Sequence, residues 1–345
     1  MSTPRFLITR LSAIGDCIET LPLAMAIKDR WPDSHLTWIV DCGVDALLKN
    51  HAAIDQVIRI RKGFLARPSE VWNLRTQLRS LKIDISIDPQ GLFKSAILGW
   101  LASATDRIGF TNGQAREFAW RFYHDAISPQ STHLVDRQLE LLEPLGIFNP
   151  RAQFGHLEPK SNRIEVEKLL RQFNLGIGGY AVINPGAGWE SKRWPTERYV
   201  EVAKQLYENA GLRSLVVWGN AAEQVLAQSI VDASPRASYL APDTSLTMLT
   251  GILQRSRMYI GSDTGPMHIA AAVGTPCVAM FGTTRAEYCG PYGAMHRILQ
   301  ERYDAGTSKY RRNTTNAAML EITAESVIQQ CLELASTNAR IRLAS

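Results

Sequence analysis

The sequence predicts an α/β protein built from two doubly wound domains. Predicted strands and helices alternate along the chain, the mark of a parallel sheet flanked by helices. The alternation is interrupted once, over residues 149–179, and then restarts. A length of 345 residues exceeds the usual reach of one hydrophobic core, so the restart is read as a second domain.

The elements follow in order. "RFLIT" is a short apolar strand, and a helix is expected from about Asp16 to Arg30. "HLTWIV" is a strand, "GVDALLKNH" a helix and "QVIRI" a strand. "EVWNLRTQLRSLK" has apolar spacing near 3.6, that of an amphipathic helix. "IDISIDP" and "DRIGF" are strands on either side of the helix "GLFKSAILGWLA". "THLVDRQLELLEPLGI" is a helix ended by Gly146. The second series runs through the strands "YAVINPG", "RSLVVWG", "ASYLA", "RMYIGSD" and "PCVAMFG". Between them lie the helices "TERYVEVAKQLYENAG", "AAEQVLAQSIVDA", "SLTMLTGILQRS" and "GPMHIAAAVG". The expected boundaries are a first domain at 1–155, a linker at 156–178 and a second domain at 179–325. A last helix at 326–345 is expected to pack back on the first domain. Open sheets of this kind bind ligands at the carboxyl ends of their strands, so two such domains imply a cleft.

Composition narrows the class. Hydrophobic residues make up 45% and charged residues 21%, which places the chain among ordinary globular proteins. No run of about 18 apolar residues is present, so no transmembrane helix is expected. "MSTPRFLITR" lacks the pattern of a secretory signal. The five cysteines (Cys17, Cys42, Cys277, Cys289 and Cys331) lie far apart without a CxxC pair. That spacing argues against zinc and for reduced thiols in a cytoplasm. His35, His51, His124, His156 and His296 show no HxxxH or HExxH spacing, so metal ligation is not expected. Between Arg59 and Asp125 eleven Lys/Arg face six Asp/Glu, a surplus equal to the whole chain's +5. This stretch is expected to meet something anionic. Nucleic acid is disfavoured, because no zinc finger, RNP motif or aromatic-interleaved basic run is found. Arg75 and Arg79, on one helix, read equally well as a solvated face.

Four loops at strand ends carry the chemistry. In "RLSAIGDCIETLP", Asp16 follows a glycine where the first strand turns into a helix; it reads as a site carboxylate or as a helix cap. In "MYIGSDTGPMHIAAAVGTP", Asp263, Thr264 and Gly265 form a turn into a helix whose first turn carries Pro266. Backbone N–H groups there make an anion site, with an ordinary capped turn as the alternative. "NPGAGWESKRWP" offers Gly186, Ala187 and Gly188 and then Lys192, which could neutralise a diphosphate or lie solvated at the surface. "VVWGNAAEQ" places Glu223 near a helix start, suited to ribose hydroxyls or to the helix dipole. Together these loops fit a nucleoside diphosphate. GxGxxG and GxxxxGK[ST] are both absent, which disfavours NAD, FAD and a P-loop ATPase.

"RLSAIGDCIETLP", "NPGAGWESKRWP" and "SDTGPMHIAAAVGTP", in order over nearly the whole chain, resemble the bacterial lipopolysaccharide heptosyltransferases. These are ADP-heptose glycosyltransferases of the GT-B fold. "LKNHAAIDQVIRI", "IDPQGLFKSAIL", "GQAREFAWRFYH" and "HLVDRQLELL" make the N-terminal half most similar to the type I members, which attach the first heptose to Kdo. The resemblance implies an inverting transfer without a metal or other cofactor. It makes Asp16 the base, with Lys192 on the diphosphate and Glu223 on the ribose. Asp263, Thr264, Gly265, Pro266 and His268 would contact phosphate and heptose. Ala187, Gly188 and Thr244 would line the donor site, and all three depart from the type I pattern: hydroxylated residues are expected before the lysine and a methionine in place of Thr244. Arg59, Arg61, Lys62, Arg116 and His133 would hold an acidic Kdo–lipid A acceptor; Lys94, at the start of the helix in "QGLFKSA", reads either as part of that site or as the partner of a carboxylate. The family also implies a cytoplasmic enzyme peripheral to the inner membrane, with no nucleic-acid partner. The competing readings are a type II-like or other nucleotide-sugar transferase, a sugar-nucleotide epimerase, and a non-catalytic nucleotide-binding module.

Overall fold

The computed structural model describes residues 3–41 and 43–343, with the backbone alone at Lys160 and 337–343. Cys42 therefore lies outside the described residues; Cys17, Cys277, Cys289 and Cys331 carry reduced thiols. The chain divides into two units, one ending at Leu157 and the other beginning at Glu158.

The first unit holds β1 (Arg5–Thr9), β2 (His35–Val40), β3 (Gln56–Arg59), β4 (Ile85–Ile87), β5 (Asp106–Phe110) and β6 (Asp125–Ile127). They form a sheet in the order β3-β2-β1-β4-β5-β6, and every pair is parallel. In β1 and β2 every residue after the first is buried, as a central strand covered on both faces requires. Helices Pro68–Ser80 and Phe93–Leu101 lay Leu74, Leu78, Leu98 and Leu101 against Leu7, Ile39 and Ile58 of the sheet. The helix expected from Asp16 to Arg30 is broken into Ile14–Glu19 and Leu21–Arg30. Pro22, in the first turn of the second piece, has no N–H with which to continue the first. Gly146 ends the Leu134–Leu145 stretch at a φ of 75°, a backbone that favours glycine.

The second unit repeats the plan with β7 (Tyr180–Asn184), β8 (Arg213–Val216), β9 (Ser238–Leu240), β10 (Met258–Ser262), β11 (Cys277–Met280) and β12 (Arg297–Leu299). The order is β12-β11-β10-β7-β8-β9, again parallel throughout. The expected linker at 156–178 is largely part of this unit. Helix Arg163–Gln172 buries Val166, Leu169 and Leu170 and packs on Leu246–Arg255, and Glu158 pairs with Arg255 at 2.8 Å. The last helix, Ala324–Leu343, packs on Thr196–Ala210. In place of the expected return to the first domain, Val327, Cys331, Leu334 and Ala335 along it are buried in the second core.

Candidate active site

In a parallel sheet all strands end on one edge, and the ligand crevice opens where the strand order reverses. Those switch points fall between β1 and β4 in the first unit and between β7 and β10 in the second.

At the first switch point stands Asp16. Its Oδ2 accepts from the Ala13 N–H at 2.8 Å, so it does cap its helix. Its Oδ1 meets Arg10 Nη2 at 2.7 Å. The Arg10 side chain is 8% exposed and that of Asp16 36%, so the pair presents the carboxylate outward and the guanidinium inward. Arg10 Nη1 donates to the Pro89 carbonyl at 2.9 Å, across the switch point from β1 to the loop after β4. That loop is shaped by buried Asp88, which accepts from the Gln90 and Gly91 N–H groups, the Ser95 hydroxyl and the Tyr123 hydroxyl at 2.7 Å. Burial pushes the Asp88 carboxyl up from its ordinary value against these hydrogen bonds. Burial and the neighbouring Asp88 push the Tyr123 hydroxyl up, so Tyr123 stays a donor. The sequence reading missed Arg10; its signal was an arginine directly after a buried strand, six residues before the carboxylate.

The expected acceptor residues lie along one edge without gathering at a point. Arg59 ends β3 and pairs with Asp45 at 3.4 Å; Arg61, 3.7 Å from Glu70, and exposed Lys62 follow it. Lys94, after β4, sits 3.2 Å from Asp41. Arg116 is exposed in the loop after β5. His133 caps helix Leu134–Leu139, its Nδ1 accepting from the Val135 N–H. β3 and β6 are the two outer strands of the sheet.

At the second switch point a buried cluster centres on Asp263. Lys192 Nζ lies 2.6 Å from Oδ2, and the Thr284 hydroxyl donates to the same oxygen at 2.8 Å. His268 Nε2 lies 3.3 Å from Oδ1. Burial alone would raise the Asp263 carboxyl; the Lys192 ammonium and then His268 override it and hold the carboxyl well below the ordinary carboxylate range. The structure thus joins Lys192, Asp263 and His268, all named from sequence, and adds Thr284. Thr264 opens helix Gly265–Ala272, with Pro266 in its first turn. Its hydroxyl does not cap that helix; it is shared with Asn184 Nδ2 at 3.2 Å and the Tyr259 hydroxyl at 3.1 Å.

Glu223 accepts from the Gly219 N–H at 2.9 Å and lies over Gly186, where an added Cβ would stand 2.4 Å from its carboxyl carbon. This close approach is why the loop carries glycine there. Ala187 is buried and Gly188 exposed. Thr244, half-buried before the Ser245 cap, joins none of these hydrogen bonds among the described residues.

The Lys192 loop rests on a distant segment. Ser191 Oγ donates to the Arg311 carbonyl at 2.5 Å, Asn316 Nδ2 to the Arg193 carbonyl at 3.0 Å, and Trp194 Nε1 to the Ile322 carbonyl at 2.9 Å. Lys192 and Arg312 both lie over the Trp189 ring, at 4.4 and 5.4 Å. Among the described residues no three His, Cys, Asp or Glu side chains gather as a metal site, and no helix is long and apolar enough to cross a membrane.

The profile of glycosyltransferase family 9 (heptosyltransferase) matches residues 71–318, a span that includes Lys192, Glu223 and the Asp263 cluster. The chain belongs to this family. Like other heptosyltransferase-family glycosyltransferases it has the GT-B fold. It is 30% identical to lipopolysaccharide heptosyltransferase 1 of Pseudomonas aeruginosa over 298 residues, 84% of this chain and 81% of the relative. It is 28% identical to the Escherichia coli K12 protein of the same name, over 86% of this chain and 93% of that one. The solved structure of E. coli heptosyltransferase WaaC with ADP superposes with a TM-score of 0.77 at 26% identity, covering 96% of this chain and 99% of that one.

Proposed function

We propose that this heptosyltransferase-family enzyme moves heptose from ADP-heptose to the Kdo of the lipopolysaccharide inner core, with inversion. The observation that supports this reading is the buried Lys192–Asp263–His268 cluster at the switch point of the second unit; the first unit has at its own switch point a partly exposed carboxylate, Asp16, backed by buried Arg10. As the acceptor hydroxyl oxygen bonds to the anomeric carbon, Asp16 takes its proton, a contribution of roughly 10²–10⁴-fold. The bond from that carbon to the diphosphate oxygen breaks, and ADP leaves with the electron pair. Lys192 and the helix start at Thr264-Gly265 supply positive charge where negative charge gathers, so the proposed reaction calls on no metal. Glu223, held over Gly186, is assigned to the ribose hydroxyls. The basic edge from Arg59 to His133 is assigned to the acidic groups of Kdo and lipid A, for which guanidinium forks are suited. A lipid-linked acceptor places the enzyme at the cytoplasmic face of the inner membrane. A second reading, another nucleotide-sugar or a type II-like acceptor, is favoured by Ala187, Gly188 and Thr244 at the donor loops. The test is transfer from ADP-heptose to Kdo₂-lipid A, wild type beside Asp16→Asn. Loss of transfer with ADP still bound supports the reading; a wild type that binds ADP and transfers nothing selects the second one.

A further inference from the structure

We infer that the outer face of helix Pro68–Ser80 docks the first unit on an anionic phospholipid surface. From Arg59 to Lys82 the chain carries seven Lys/Arg and one Asp/Glu, a surplus larger than that of the entire protein. The single acid, Glu70, is already engaged by Arg61 at 3.7 Å and Arg67 at 3.6 Å. Arg75 and Arg79 make no ion pair among the described residues. Leu74 and Leu78 bury the inner face of the helix, and at about 100° per residue Trp72 falls on the opposite side. Trp72 is 66% exposed, with the Arg75 guanidinium 5.7 Å from its ring. The neighbouring elements add two more exposed rings, one of them beside an arginine. Helix Phe93–Leu101 packs beside this one and exposes Trp100 by 53%; the Ala119–Phe122 turn packs on that helix, and Phe118 before it is 69% exposed under Arg121. No exposed tryptophan or phenylalanine among the described residues belongs to the second unit. Amphipathic rings beside arginines suit the headgroup layer, where rings bury and cations meet lipid phosphates. An acidic protein would satisfy the charges but give the rings no apolar layer. The inference rests on the proposed lipid-linked acceptor and adds the surface that would bring the enzyme to it.

The test is co-sedimentation of the full chain with phosphatidylethanolamine vesicles, with and without phosphatidylglycerol. Partition is expected on the anionic vesicles alone and falls with added salt. Neutralising both arginines (Arg75→Gln with Arg79→Gln) lowers it about 30-fold, at the usual strength of one cation near an anionic leaflet. Trp72→Ala lowers it severalfold and Trp72→Phe keeps it. Partition that ignores these variants, or is equal on neutral vesicles, overturns the inference. So does a Trp72-dependent dimer in sedimentation velocity, which would make a second copy the occupant. Transfer to a water-soluble, deacylated acceptor is measured in parallel. It stays unchanged in the variants, and its absence in a vesicle-binding wild type would fault the proposed reaction and leave the docking surface standing.

Discussion

Asp16 and Asp263 stand at the switch points of two sheets of the same order, Asp16 beyond the first strand of its sheet and Asp263 beyond the fourth of its own, and their surroundings differ. Each stands at a switch point and each faces a buried cation. Asp16 has one such partner and keeps about a third of its side chain open, as the proposed role of base requires. Asp263 is enclosed by Lys192, His268 and Thr284, and its carboxyl is held down in pKa. A carboxylate so tightly held does not exchange protons near neutral pH; it fixes the position of the cation beside it. The number of partners and the remaining exposure, more than the residue type, separate the proposed base from the buried scaffold.

The comparison is sharpened most by removing each acid. Asp16→Asn keeps the shape and is expected to lower kcat by about 10²–10⁴-fold while ADP affinity, read by calorimetry, stays. Asp263→Ala leaves the nearly buried Lys192 and His268 without their acid. The second unit should lose about 3–5 kcal/mol of stability in chemical denaturation, with ADP binding lost alongside. The pH dependence has a definite sign. Because folding lowers the Asp263 pKa, its stabilisation is complete above the ordinary aspartate range near pH 4. It is lost as pH falls below that range toward the folded value, so Asp263→Asn should flatten the acid limb of the unfolding curve. An unchanged limb would break the contrast with Asp16.

Smaller effects test the cations. Lys192→Ala is expected to weaken ADP binding by about 1.5–3 kcal/mol, the range for a hydrogen bond to a charged group. Arg10→Lys should lower kcat about tenfold at constant donor KM, because an ammonium cannot span Asp16 and the Pro89 carbonyl as the planar fork does. A raised donor KM would instead tie Arg10 to binding. The least effect is at Gly186. Gly186→Ala displaces Glu223 and should weaken donor affinity by about 1 kcal/mol, whereas in a Glu223→Ala background the same change should cost almost nothing.

What the chain reveals before folding is what lies close together along it. Gly15-Asp16, the glycines before Lys192 and the Asp263-to-His268 turn are contiguous motifs at strand ends, and all were readable. Arg10 to Pro89, Thr284 to Asp263 and Ser191 to Arg311 join residues 79, 21 and 120 positions apart and have no local signature. Strands β6 and β12, no shorter than β4 and β9, are edge strands exposed along much of their length and lack the apolar run that marks the others. Helix Arg163–Gln172 was placed in a linker because glycine and proline flank it, although Val166, Leu169 and Leu170 already carried the spacing of a packed face. Thr244 is named by family position alone, and among the described residues no hydrogen bond holds its side chain.

The bonds from Ser191, Arg193 and Trp194 to residues 311–322 bear on the order in which the enzyme is made. A ribosome that has just synthesised His268 has already supplied every donor residue named here. The floor beneath Lys192 is still more than forty codons away. Nascent or prematurely terminated chains therefore carry the full set of motifs with the central lysine unseated. The support beneath Lys192 arrives only once residues 311–322 have been made.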